Sequence, residues 1–323
     1  MTPLPKTTHP LRIFSGSANR PLAEEVAGRL GVQLGNCTTR FLPDTEIHVT
    51  IDEAVRGDDI FFIQPCGAPV NEHLMELLLY VDAFRRASAN TITAVIPYYP
   101  YARQERMAHG RESISAKVVA HMLETLGTNR VIFMDIHAPA IQGFFNIPVD
   151  PLTVLPVLAQ QLRDERFKEA VIVAPDEGRV KMAARYAETL GLPLAFMHKR
   201  RADFTTAKIM TLVGDLRNKI PIVIDDVISS GSVLAQVPTL LEAGARPEVY
   251  LAITHGVLAP GAIQLLDQPA IKQLLVTNTL PLPPEKHHPK IRVVSVAPLL
   301  AMTIQRVHDG ASITDLIHGS AAL

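Results

Sequence analysis

A chain of 323 residues, 47% of them apolar, holds material for two cores, because a single core stops growing at about 250 to 300 residues. A formal net charge of −1 supplies no global field toward nucleic acid or anionic membranes, so any cationic function must be local. Two cysteines in no metal-ligand pattern, a start at 1–10 with three prolines and no apolar run, and no stretch near the ~20 apolar residues of a membrane span predict a cytoplasmic protein without membrane or nucleic-acid partners.

From residue 11 onward, strand-like and helix-like segments alternate. A strand over 11–14 runs through Ser15-Gly16-Ser17 into a helix near 21–30. Residues 46–51 alternate at period two, and 60–64 read as a buried strand. The spacing of Leu74, Leu77, Leu78, Val81 and Phe84 predicts a helix over 70–87 with one apolar face. Then follow a strand at 91–97, a helix at 115–126 and a strand at 130–135. Pro148, Pro151 and Pro156 mark a boundary between domains at 11–153 and 154–323. The second half repeats the rhythm: strands at 170–174, 194–198, 209–213, 222–224, 248–254, 274–277 and 291–295, with helices at 179–190, 232–243 and 298–307. Pro238 should kink the second of these helices. The proline-rich stretch 281–289 reads as a loop in which His287 and His288 are solvated. Such alternation predicts two similar α/β domains, each a mainly parallel sheet flanked by helices.

The stretch Ile222-Val223-Ile224-Asp225-Asp226-Val227-Ile228-Ser229-Ser230-Gly231-Ser232-Val233 carries the strongest chemical signal. A strand that ends in two carboxylates and feeds a Ser/Gly loop before a helix suits a sugar phosphate. The loop and helix dipole attract the phosphate, and the acids take ring hydroxyls or a metal. Four other strand ends add to it. Tyr98 to Arg106 places aromatics and two arginines where a planar anionic ligand could sit, or where aromatics merely pack. Asp135-Ile136-His137 ends a strand, as a structural hydrogen bonder also would. Asp176, at the turn after 170–174, could join Mg²⁺, which takes one or two carboxylates plus substrate phosphates. His198-Lys199-Arg200-Arg201 precedes a polar stretch, 202–207, expected to be mobile. By default such a cationic run is a solvated face.

Together these motifs resemble the ribose-phosphate diphosphokinases (PRPP synthetases) in order and spacing from 11 to 317. The two-acid loop alone also resembles the type I phosphoribosyltransferases, whose fold the resemblance implies for both domains. It implies transfer of the β,γ-diphosphoryl group of Mg–ATP to the C1 hydroxyl of ribose 5-phosphate. Lys199 and Arg201 would be catalytic. ATP would meet Asp44, Thr45, Glu46, Arg103, Gln104 and His137. Ribose 5-phosphate would meet Arg201, Asp225, Asp226, Ser229, Ser230, Gly231, Ser232 and Val233. Mg²⁺ would be organised by His137 and Asp176. The resemblance also implies a homo-oligomer, a hexamer, whose subunit contacts involve segments around Arg56, Ser88 and 312–314. Some positions depart from the pattern: Leu42 stands for an aromatic with Phe41 beside it, Thr45 for Gly, Glu177 and Arg179 for small residues, and Ser229 for a third loop acid. The other readings are a non-catalytic regulatory homologue and a phosphoribosyltransferase with a base acceptor.

Overall fold

The computed structural model describes residues 9–200 and 209–321. It divides into two compact units: 1–154 with 279–281 and 295–323, and 155–278 with 282–294.

The first unit opens with β1 (Leu11–Ser15), α1 (Arg20–Leu30), the hairpin β2 (Cys37–Phe41) and β3 (Ile47–Ile51), and β4 (Asp59–Ile63). It continues through α2 (Val70–Arg86), β5 (Thr91–Ile96), α3 (Ser115–Leu126), β6 (Arg130–Met134) and β7 (Val149–Leu152). Its sheet is parallel throughout, in the order β1-β4-β5-β6-β7. The stripe read from the sequence of α2 is buried against it, with the rings of Tyr80, Phe84, Phe14 and Phe62 packed at tilted angles at the centre. All five residues of β4 are buried, as a strand covered on both faces requires.

The second unit contains α4 (Leu155–Gln161), β8 (Ala170–Ala174), α5 (Val180–Leu190), β9 (Leu194–Arg200) and β10 (Ile209–Val213). There follow β11 (Ile220–Ile228), α6 (Val237–Glu242), β12 (Val249–Gly256), β13 (Ile271–Thr277) and β14 (Ile291–Val294). The strand order is β10-β9-β8-β11-β12-β13-β14, parallel except for the antiparallel β9–β10 pair. The chain moves outward from β8 to β9, then returns to lay β11 on the other side of β8. That reversal makes a switch point at the carboxyl ends of β8 and β11, the place where open α/β sheets take ligands.

The last helices, α7 (Ala297–His308) and α8 (Thr314–His318), return to the first unit. There α7 packs on α1, and Ser295 donates to Glu25 at 2.6 Å. The second domain expected to run to the terminus therefore ends near Val294, because the apolar side of α7 finds its cover on α1.

Two local expectations change. The strand expected at 222–224 continues to Ile228, so both acids lie inside it. The helix expected over 232–243 is a 3-10 turn, Leu234–Gln236, followed by the short α6. Pro238 sits in the first turn of α6, where its fixed φ and missing N–H cost nothing, and so it starts the helix instead of kinking it.

Candidate active site

In the second unit the acid pair forms at the switch point. β8 pairs β11 only as far as Val223, while β12 accompanies β11 to Ile228. Asp225 and Asp226 thus stand beyond the end of β8, beside the turn that follows it. That turn brings Arg179 across: its Nε lies 3.4 Å from Asp225 Oδ1 and 3.5 Å from Asp226 Oδ1. Asp225 Oδ1 also accepts the Asp226 amide at 2.8 Å. Burial, and next the charge of Asp226 beside it, push the Asp225 carboxyl up to about 8, against the pull of Arg179. The pair therefore carries a proton near neutrality and can both donate to and accept from hydroxyls.

Asp176 is half-buried and precedes the 3-10 turn Glu177–Arg179; its carbonyl accepts the Arg179 amide at 3.2 Å. Glu177 is hydrogen-bonded to His198 on β9 and ties that strand to the same turn. Lys199, next along β9, has its backbone paired in register with Met210. Arg201 and the stretch 202–207 lie outside the described residues, so their expected roles are not placed.

The loop 229–233 is held chiefly by its carbonyls. The oxygens of Ile228 and Ser229 accept from Leu258 and Ala259 at 3.0 Å each, and Gly231 O accepts from Leu234 and Ala235. Among the described residues, the amides of Ser230, Gly231 and Ser232 donate to no protein acceptor, and Ser230 and Ser232 are exposed. Gly231 has φ +83, and a Cβ there would lie 2.7 Å from Leu265 Cδ1, so only glycine fits this turn. The long helix N-terminus expected from sequence does not stand behind this loop, since the 3-10 turn intervenes before the short α6. Val233 is buried at 5% exposure in the second core; its side chain is structural and only its backbone faces the loop chemistry.

The first unit holds the residues expected to meet ATP. Gln104 and Arg103 are exposed on the loop after β5. Gln104 Oε1 accepts from Ser115 at the start of α3 at 2.7 Å, which fixes the loop end. Tyr101 is hydrogen-bonded to Asn71 on α2, but Tyr99 is buried, donating to Ala116 O at 3.0 Å, and belongs to the core instead of a ligand face. His137 is half-buried beyond β6. Asp135 has φ +34, and its carboxylate accepts the Val154 amide at 3.2 Å, which clamps the end of β7.

The turn 44–46 tips the β2–β3 hairpin. It is exposed, with Glu46 N donating to Asp44 Oδ1 at 3.3 Å. Thr45 has φ +73, a left-handed conformation natural to glycine and strained for a β-branched residue. Phe41 is 56% exposed and Leu42 40%, so both aromatic and aliphatic faces are presented at this tip. Among the described residues, no hydrogen bond or ion pair joins this turn to Arg103 or Gln104.

Asp176 offers a hard oxygen donor, which suits Mg²⁺ bound through one or two carboxylates and substrate phosphates. Among the described residues there is no cluster of three or more His, Cys, Asp or Glu able to hold a metal by themselves. His287 and His288 hydrogen-bond to Leu282 O and Asp267 at 3.0 and 3.2 Å, a local loop clasp.

Two known domain families match the chain. Residues 11–127 match the N-terminal domain of ribose phosphate pyrophosphokinase, and 204–318 the phosphoribosyl synthetase-associated domain. A ribose-phosphate pyrophosphokinase of Bacillus caldolyticus is 46% identical over 309 residues, covering 95% of this chain and 98% of the relative. The protein of that name from Bacillus subtilis is 46% identical over 307 residues, covering 95% and 96%. The crystal structure of phosphoribosylpyrophosphate synthetase from Mycobacterium smegmatis superposes with a TM-score of 0.88 at 42% identity, covering 94% of this chain and all of that one.

Proposed function

Because the chain belongs to the ribose-phosphate pyrophosphokinase family, we propose that it makes phosphoribosyl diphosphate from Mg–ATP and ribose 5-phosphate. The C1 hydroxyl oxygen attacks the β-phosphorus in line, the bond from Pβ to the oxygen bridging to Pα breaks, and AMP leaves while the hydroxyl proton passes to solvent. The observation that carries this reading is the acid pair and amide-lined loop at the β8/β11 switch point, in a chain matched along nearly its whole length.

Each residue then has a role. Asp225 and Asp226 hold the ring hydroxyls and orient C1. The amides of Ser230, Gly231 and Ser232, within the loop 229–233, take the 5-phosphate with the Ser229, Ser230 and Ser232 hydroxyls. Arg103, Gln104, His137 and the tip 44–46 bind the nucleotide, with Phe41 or Leu42 against the base. Mg²⁺, organised by His137 and Asp176, would neutralise phosphate charge. Lys199 and Arg201 place cations where charge develops on the transferring group.

The test is AMP release from ATP in the presence of ribose 5-phosphate and Mg²⁺. Lys199→Ala should cut turnover about a hundred- to a thousandfold while the KM for ATP changes little, the behaviour of a group acting in the transition state. An active protein whose turnover survives that substitution would return Lys199 to the solvated face. A wild type that releases no AMP would remove the whole reading.

A further inference from the structure

Arg179 sits where a mobile cation would otherwise be needed. Two carboxylates adjacent in sequence, within a buried strand, repel one another and are costly to desolvate without a partner charge. The side chains of Arg179, Asp225 and Asp226 are 14%, 15% and 4% exposed, so this charge cluster is screened little by solvent. The guanidinium presents its donors in a fixed plane. Its position follows from the fold: β8 and β11 are parallel neighbours, so the turn after β8 emerges beside the acids. Nε stands almost equidistant from one oxygen of each carboxylate, at 3.4 and 3.5 Å. It therefore offsets part of the pair's negative charge and contacts both groups at once. The turn is itself anchored, through Asp176 O at Arg179 N and through Glu177 at His198.

We propose that Arg179 is a positioning residue that replaces a divalent cation at the Asp225–Asp226 pair, so that ribose 5-phosphate docks there without metal. This rests on the ribose-phosphate reading of the site, and confines the metal requirement of the reaction to the nucleotide phosphates.

The test uses the full chain and calorimetric titration with ribose 5-phosphate, in EDTA and in millimolar Mg²⁺. Wild type should bind with the same affinity in both, within about twofold. Arg179→Ala should bind about ten- to a hundredfold more weakly in EDTA, the scale of a lost charged hydrogen bond, and should recover in Mg²⁺. Arg179→Lys, which keeps the charge, should retain most of the affinity in EDTA. Recovery by metal separates this role from plain damage to the fold, which Mg²⁺ would not reverse.

Equal weakening of Arg179→Ala with and without metal, or unchanged binding in EDTA, overturns the proposal; so does a wild type that needs metal to bind. AMP release by wild type tests the parent reading on its own. A wild type that releases AMP while Arg179→Ala binds normally sinks only the role of Arg179. One that binds ribose 5-phosphate in EDTA but releases no AMP sinks only the reaction. One that neither binds nor reacts sinks both.

Discussion

Asp225 links the chemistry of the site to the stability of the protein. Its carboxyl is raised by burial and by Asp226, so the native state holds this proton more tightly than the unfolded chain does. Stability from the group is fully present below the ordinary carboxylate range and is lost as pH rises through about 8. Asp225→Asn cannot ionise, and should melt at a higher temperature than wild type near pH 9 but at the same temperature near about pH 4. An equal gain at both pH values would mean that ionisation is not the cause. Thr45 makes a similar point about local cost. Its left-handed φ is worth about 1 to 2 kcal/mol against a non-glycine residue, held in place by the hairpin bonds from Thr45 N to Leu42 O and Leu42 N to Glu46 O.

At the scale of elements, the closing helix changes the domain boundary. Leu299, Leu300 and Ile304 of α7 are fully buried, and α1 offers Leu22, Ala23, Val26 and Ala27. Leu300→Ala should destabilise the first unit by about 2 to 5 kcal/mol, the range for a truncated core leucine. Hydrogen exchange would show it: amides of α1 and β1 should lose protection while those of β11 and β12 keep theirs. Loss confined to β11 and β12 would place α7 in the other core. The loop after β11 shows the reverse economy. With Gly231 left-handed and Pro238 opening a six-residue helix, the chain turns after β11 without a long helix behind it.

For the whole molecule, the family resemblance implies a homo-oligomer, and we propose a hexamer. Within the first unit the segments of Arg56 and Ser88 are brought together, since Gly57 N donates to Ser88 O at 2.9 Å. The turn 312–314 is held by Arg306 Nη1 at Ser312 O, 3.3 Å. Light scattering at micromolar concentration should give a mass near six chains; a monomer mass would remove the proposal. Among the described residues no helix is long and apolar enough to cross a membrane.

Periods of 2 and 3.6 are written in local residue order, so the sequence by itself determined the α/β alternation, the α2 stripe and the strands that lead into Asp176 and His137. The two-acid loop was legible for the same reason: its turn residues and acids are contiguous. Strands β2 and β7 escaped notice because five and four residues of mixed polarity carry little periodic signal. Only the tertiary structure decided that Arg179 meets residues 46 and 47 positions away, that Val233 and Tyr99 belong to cores, and that α7 covers the first unit. Those contacts depend on strand order and on which apolar faces meet. An apolar face encodes that it must be covered, but not by what.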